Sequence, residues 1–104
     1  MKITISETAK ISLKEIIDFL NIKWTIKEIT VLENDIKKFR QTLKDDIVKH
    51  PSLEQFPNIK YTLIGKKQVQ LMYEVKTDEI VIKLFWHCRR DQIKLKQILT
   101  ENNQ

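Results

Sequence analysis

Four side chains able to do chemistry stand together late in the sequence: His87, Cys88, Arg89 and Arg90, immediately before Asp91. An imidazole can transfer a proton near neutral pH, a thiolate is a nucleophile, and guanidinium forks bind phosphate or carboxylate through paired hydrogen bonds. Residue counts narrow the choice. A structural zinc site takes about four ligands, and the chain offers one Cys and two His, with His50 remote from the adjacent His87 and Cys88. No metal is expected. Adjacent residues do not face each other as a base and a nucleophile must. Two arginines beside Cys88 would lower its pKa, yet a lone cysteine is more often simply buried. Gly-rich phosphate loops, dinucleotide fingerprints and paired carboxylates are missing, which excludes most cofactor enzymes. No cofactor is expected. What remains is an anion site, in which Arg89, Arg90 and the free amides of a helix opening at Asp91 converge on one phosphate or carboxylate. His87 adds a donor, and Lys60, Lys66 and Lys67 on and around a neighbouring hairpin extend the patch. The plain alternative is that Arg90 pairs with Asp91 or Glu74 and ties the last helix to the sheet.

These residues need a rigid element to position them, and the run from Glu79 to Asp91 supplies it. Read with a period of two, Ile80, Ile82, Leu84 and Trp86 point to one face, and Val81, Lys83, Phe85 and His87 to the other. Apolar residues on both faces predict a central strand. Two strands precede it: Ile59, Tyr61 and Leu63 alternate with Lys60 and Thr62, and Val69, Leu71, Tyr73 and Val75 alternate with Gln68, Gln70, Met72 and Glu74. Between them Gly65, the only glycine, is expected to supply a positive φ.

Earlier in the chain the period is helical. Lys2 to Ile5 is a short strand, Ser6 an N-cap, and Ala9, Leu13, Ile16, Ile17, Leu20 and Trp24 form one apolar stripe. Ile11 and Ile22 lie on the opposite face, as incidental exposure or as the rim of a partner-binding surface. Thr25 to Glu28 reads as a capping box. A second stripe follows through Ile29, Leu32, Ile36, Phe39, Leu43 and Ile47, to stop near His50 before Pro51. His50 is expected to be a solvated helix-end residue. A last run, Asp91 to Leu99, is a short helix or extended tail. The predicted order is β-α-α-β-β-β-(α), an α+β fold with a helical hairpin packed on a mostly antiparallel four-stranded sheet.

The 104 residues suit one domain, spanning 1–104, with 41% hydrophobic and 32% charged residues and a net charge of +5. No apolar run reaches a membrane span and no secretory leader is evident, so a cytoplasmic location is expected. Residues 1–56 carry ten Lys/Arg against nine Asp/Glu, and residues 57–104 carry nine against five. The excess positive charge therefore lies in the half that ends in His87 to Arg90, and it favours an anionic partner.

The order of elements, with the segments IKYTLIGKKQVQLMYEV and EIVIKLFWHCRRDQIKL, resembles the RelE/ParE toxins of bacterial type II toxin–antitoxin systems. A tyrosine-bearing strand, a turn, an apolar strand and then His87, Arg90 and Asp91 carry the likeness. The resemblance implies a toxin, of the plasmid-stabilisation kind, neutralised by a cognate antitoxin, with Ile11 and Ile22 as candidate antitoxin contacts. It implies one of two targets. ParE-like members inhibit DNA gyrase; RelE-like members cut mRNA on the ribosome with basic side chains and often a late tyrosine or histidine, here His87 with Arg89 and Arg90. No tyrosine follows Tyr73 and residues 92–104 carry no aromatic, which favours the ParE side and a protein that is not an enzyme. Lys60 stands where the ParE pattern usually has an arginine opening the second strand. A third reading keeps the fold as a nontoxic interaction module.

Overall fold

The computed structural model describes residues 2–23, 26–42, 50–88 and 92–102. Its elements are β1 (Lys2–Ile5), α1 (Glu7–Lys23), α2 (Ile26–Thr42), β2 (Ile59–Ile64), β3 (Val69–Val75), β4 (Glu79–His87) and α3 (Gln92–Asn102). The strands form one sheet in the order β1-β4-β3-β2, with β1 parallel to β4 and the remaining pairs antiparallel. β4 is therefore an inner strand, as its two apolar faces predict. The last run is a helix rather than an extended tail.

The sheet is covered on both faces. Stripe residues Ala9 and Ile16 of α1 and Leu32 and Phe39 of α2 pack on Val69, Leu71, Tyr73, Ile80, Ile82 and Phe85. The other face buries Ile59, Met72, Leu84 and Trp86 under Leu95 and Leu99 of α3, with Leu53 and Phe56 alongside. Each large apolar side chain so buried stabilises by about 1.5–3 kcal/mol. The capping box at Thr25 and the stretch 43–49, where the second helix is expected to end, lie outside the described residues.

The strict alternation expected of β4 is overturned by a bulge. β3 and β4 pair from Val75↔Ile80 to Tyr73↔Ile82, and then from Met72↔Leu84 to Val69↔His87, so Lys83 has no residue opposite it. One extra residue in a strand reverses the facing of everything beyond it. Ile80 and Ile82 consequently share the helical-hairpin core with Phe85, while Leu84 and Trp86 turn to α3. The bulge is why Ile80 and Ile82 serve one core and Leu84 and Trp86 the other.

β1 stops pairing at Ile5↔Ile82, and serines of the helical layer take over along β4. Ser6 N donates to Ile82 O at 3.0 Å, and Ser6 Oγ donates to Lys83 O at 3.2 Å. The same oxygen accepts from Ala9 N at 3.1 Å, the N-cap that the sequence predicts. On the far edge, Pro51 and Leu53 lie against β2: Tyr61 N donates to Pro51 O at 3.1 Å and Leu53 N to Ile59 O at 2.8 Å.

Candidate functional site

The end of β4 meets the β2–β3 turn. His87 pairs with Val69, Cys88 N donates to Gln68 O at 2.9 Å, and Cys88 Sγ donates to Lys67 O at 3.8 Å. Lys66 and Lys67, both exposed, are thereby brought beside His87 and Cys88. Arg89, Arg90 and Asp91 lie outside the described residues. Lys60 is not part of this group. It sits opposite Tyr73, four residues along β2 from Ile64, a separation of about 13 Å at strand rise.

The turn itself is strained. Gly65, Lys66 and Lys67 have φ of 60°, 58° and 65°. Gly65 adopts this at no steric cost, as expected of it, but each left-handed lysine costs about 1–2 kcal/mol. The turn is held by hydrogen bonds from α2, from within itself and from the end of β4. Asp35 Oδ2 of α2 accepts from Gly65 N at 2.9 Å, Gln68 N donates to Ile64 O and Gly65 O at 3.2 Å each, and Cys88 binds the far side as above. Nothing in the local sequence marks the lysines as left-handed, because the restraint comes from α2 and β4.

His87 is only 8% exposed and faces the α1 layer, its ring 6.3 Å from that of Phe19 in an edge-on arrangement. Cys88 is exposed, not buried as a lone cysteine is expected to be. Partial desolvation nevertheless pushes its thiol pKa up rather than down, so it is a poorer thiolate than a free cysteine. Glu74, one expected partner of Arg90, pairs with Lys83 at 3.3 Å.

A second polar cluster went unseen in the sequence. His50 is half-buried, not solvated: its Nδ1 lies 2.6 Å from Tyr73 Oη, and its ring stacks on Phe39 at 5.9 Å and 19°. Phe39 meets Tyr73 edge-on at 5.1 Å. Burial pushes the Tyr73 pKa up to about 12, so the phenol stays neutral and a hydrogen-bonding partner at physiological pH. Lys60 Nζ donates to His50 O at 3.3 Å, joining this cluster instead of the turn. A cleft of about 240 Å³ adjoins it, lined by Asp35, Lys38, Phe39, Thr42 and His50. The only advance signal was a tyrosine on the buried face of β3; its partner, 23 residues away in sequence, has no local signature.

Between α1 and α3 runs an apolar groove of about 240 Å³ whose walls include Ile11, Ser12, Leu84, Trp86 and Ile98. Ile11, at 58% exposure, forms its rim; the Ile22 side chain lies outside the described set. Among the described residues no three His, Cys, Asp or Glu side chains converge as metal ligands, and no helix is long and apolar enough to cross a membrane.

No protein-family model and no curated protein matches the chain. Solved structures do. A chain of the chromosomal ParDE TA system from P. aeruginosa superposes with a TM-score of 0.66 at 16% identity, covering 84% of this chain and 95% of that one. The isolated E. coli RelE toxin superposes with a TM-score of 0.56 at 18% identity, covering 95% and 96% respectively. At these identities the likeness is one of architecture, and the chain has the fold of the RelE/ParE toxins.

Proposed function

We propose that this chain is the toxin of a type II toxin–antitoxin pair and that it acts by binding DNA gyrase in the cytoplasm. The observation that carries the reading is the basic end of the toxin-like fold, where Lys66 and Lys67 stand beside His87 and Cys88 at the close of β4. Arg89 and Arg90, next in sequence, would complete an anion-binding contact, and Lys60 would serve it only indirectly, through the His50 segment. A cognate antitoxin with an acidic, amphipathic segment would cover the groove rimmed by Ile11 and, with it, Ile22 on the same helix. Binding is preferred over mRNA cleavage on one structural ground. A general acid–base must reach its substrate, and His87 is buried against Phe19.

Controlled expression tests the reading. Filamentation with gyrase-dependent DNA breaks supports it; in-frame cuts in ribosome-bound mRNA support the RelE-type activity instead; normal growth leaves the fold as a nontoxic module. Changing Arg89 and Arg90 together to Ala should abolish toxicity while the chain stays folded, and retained toxicity would move the site elsewhere.

A further inference from the structure

We infer that Asp35 is a positioning residue that presents Lys66 and Lys67 as a fixed pair to a nucleic-acid phosphate backbone. The argument starts from the strain. At two successive positions with φ near 60°, glycine would fit without steric cost, yet lysines occupy both. Local strain of this kind persists where surrounding structure enforces it, and it gathers at functional sites. The enforcing groups are Asp35 Oδ2 on Gly65 N and Cys88 on Gln68 and Lys67. Both lysine side chains project from an exposed turn, and among the described residues neither has a salt-bridge partner. What a lysine adds there is its ammonium, delivered on a backbone whose ordering cost has already been met by folding.

The chemistry of the pair selects the partner. An ammonium binds phosphate as a point charge, and the net charge of +5, with its excess in residues 57–104, favours a polyanion such as a nucleic-acid backbone. Two ammonium groups with no planar fork or amide beside them contact a phosphate backbone rather than read base edges, so the contact is independent of sequence. This deepens the toxin reading by naming the partner class of the same basic end, and rests on it. DNA binding is read on the purified chain, so normal growth on expression would fail the toxin reading without touching this one.

The probe is a fluorescent mixed-sequence DNA duplex titrated between 50 and 200 mM salt, with melting curves for every variant. The double variant K66G/K67G should melt no lower than the parent, since glycine relieves the turn. It should bind about tenfold more weakly, with the salt slope reduced by about two, as expected for two lost phosphate contacts. Asp35→Ala supplies the sharper contrast. Removing a carboxylate from a chain of net charge +5 tightens DNA binding on charge alone, yet loss of positioning predicts several-fold weaker binding. Asp35→Asn keeps an acceptor for Gly65 N and should restore affinity. Glu33→Gln, the same charge change on the exposed face of α2, should not weaken it. Asp35→Ala binding as tightly as Glu33→Gln overturns the inference, and so does undiminished binding by the lysine variant. If that variant loses a polyglutamate peptide but not DNA, the partner is an acidic protein surface and the inference is likewise overturned. Should Asp35→Ala melt below the assay temperature, Asp35→Gln, which makes the same charge change but misplaces the acceptor by one methylene, takes its place against Glu33→Gln with the same two outcomes.

Discussion

Ser12 Oγ, on α1, accepts the backbone N–H of Phe85, on β4, at 3.0 Å. It also donates to Ala9 O at 2.9 Å, and the residue is only 6% exposed. This hydroxyl replaces the strand neighbour that β4 loses when β1 ends at Ile5. Ser12→Ala leaves a buried N–H with no acceptor, so it should destabilise by about 1–3 kcal/mol. Chemical denaturation should show a lower midpoint at unchanged slope.

The bulge makes a sharper claim about β4. Deleting Lys83 removes the extra residue, so Leu84 follows Ile82 directly and plain alternation keeps Leu84 and Trp86 toward α3 and Phe85 toward the helical hairpin. The deletion should therefore still unfold cooperatively, at a cost that includes the lost Ser6 Oγ bond to Lys83 O. Lys83→Ala keeps the residue count and loses only the pair with Glu74, so it should cost no more than about 1 kcal/mol. Near-UV circular dichroism, to which Trp86 contributes, should keep its native form in both variants; its loss in the folded deletion would show that the bulge itself is needed for the facing of β4.

Tyr73 ties stability to alkaline pH. Its folded pKa of about 12 lies above the ordinary 10.0. The native state therefore keeps a proton that the unfolded chain releases, and stability is whole below pH 10 and falls as pH rises toward 12. The total loss over that window is about 2–3 kcal/mol. Tyr73→Phe should remove this component while costing about 1 kcal/mol near neutrality through the lost bond to His50. The difference between parent and variant from pH 8 to 12 isolates it from lysine titration.

Cys88 should behave as an accessible but sluggish thiol. With its pKa raised by desolvation, less thiolate is present at neutral pH, so alkylation by iodoacetamide should be slower than for a free-cysteine peptide. Its pH midpoint should be higher. Cys88→Ser should keep toxicity, because no thiol step is invoked; loss of toxicity in a folded variant would bring the sulfur back into the chemistry.

The parts legible in advance were those governed by local rules. Ser6 as N-cap, the Ala9–Ile16 and Leu32–Phe39 stripes, and the alternation of β3 each follow from the periods of helix and strand acting on nearby residues. The inner position of β4 followed from apolar side chains on both faces. Gly65 marked its turn because no other residue type adopts positive φ so readily.

Glu79 to Asp91 shows where that legibility ended. Its composition determined an inner strand closing on His87 and Cys88, with a basic patch nearby. Tertiary structure alone decided which way each side chain faces, because the bulge at Lys83 exists only relative to β3. It likewise separated Lys60 from Lys66 and Lys67, since strand register, not sequence proximity, sets which side chains meet. The same holds for the left-handed lysines under Asp35 and for His50 on Tyr73: each depends on contacts between elements distant in the chain, and no local propensity encodes them.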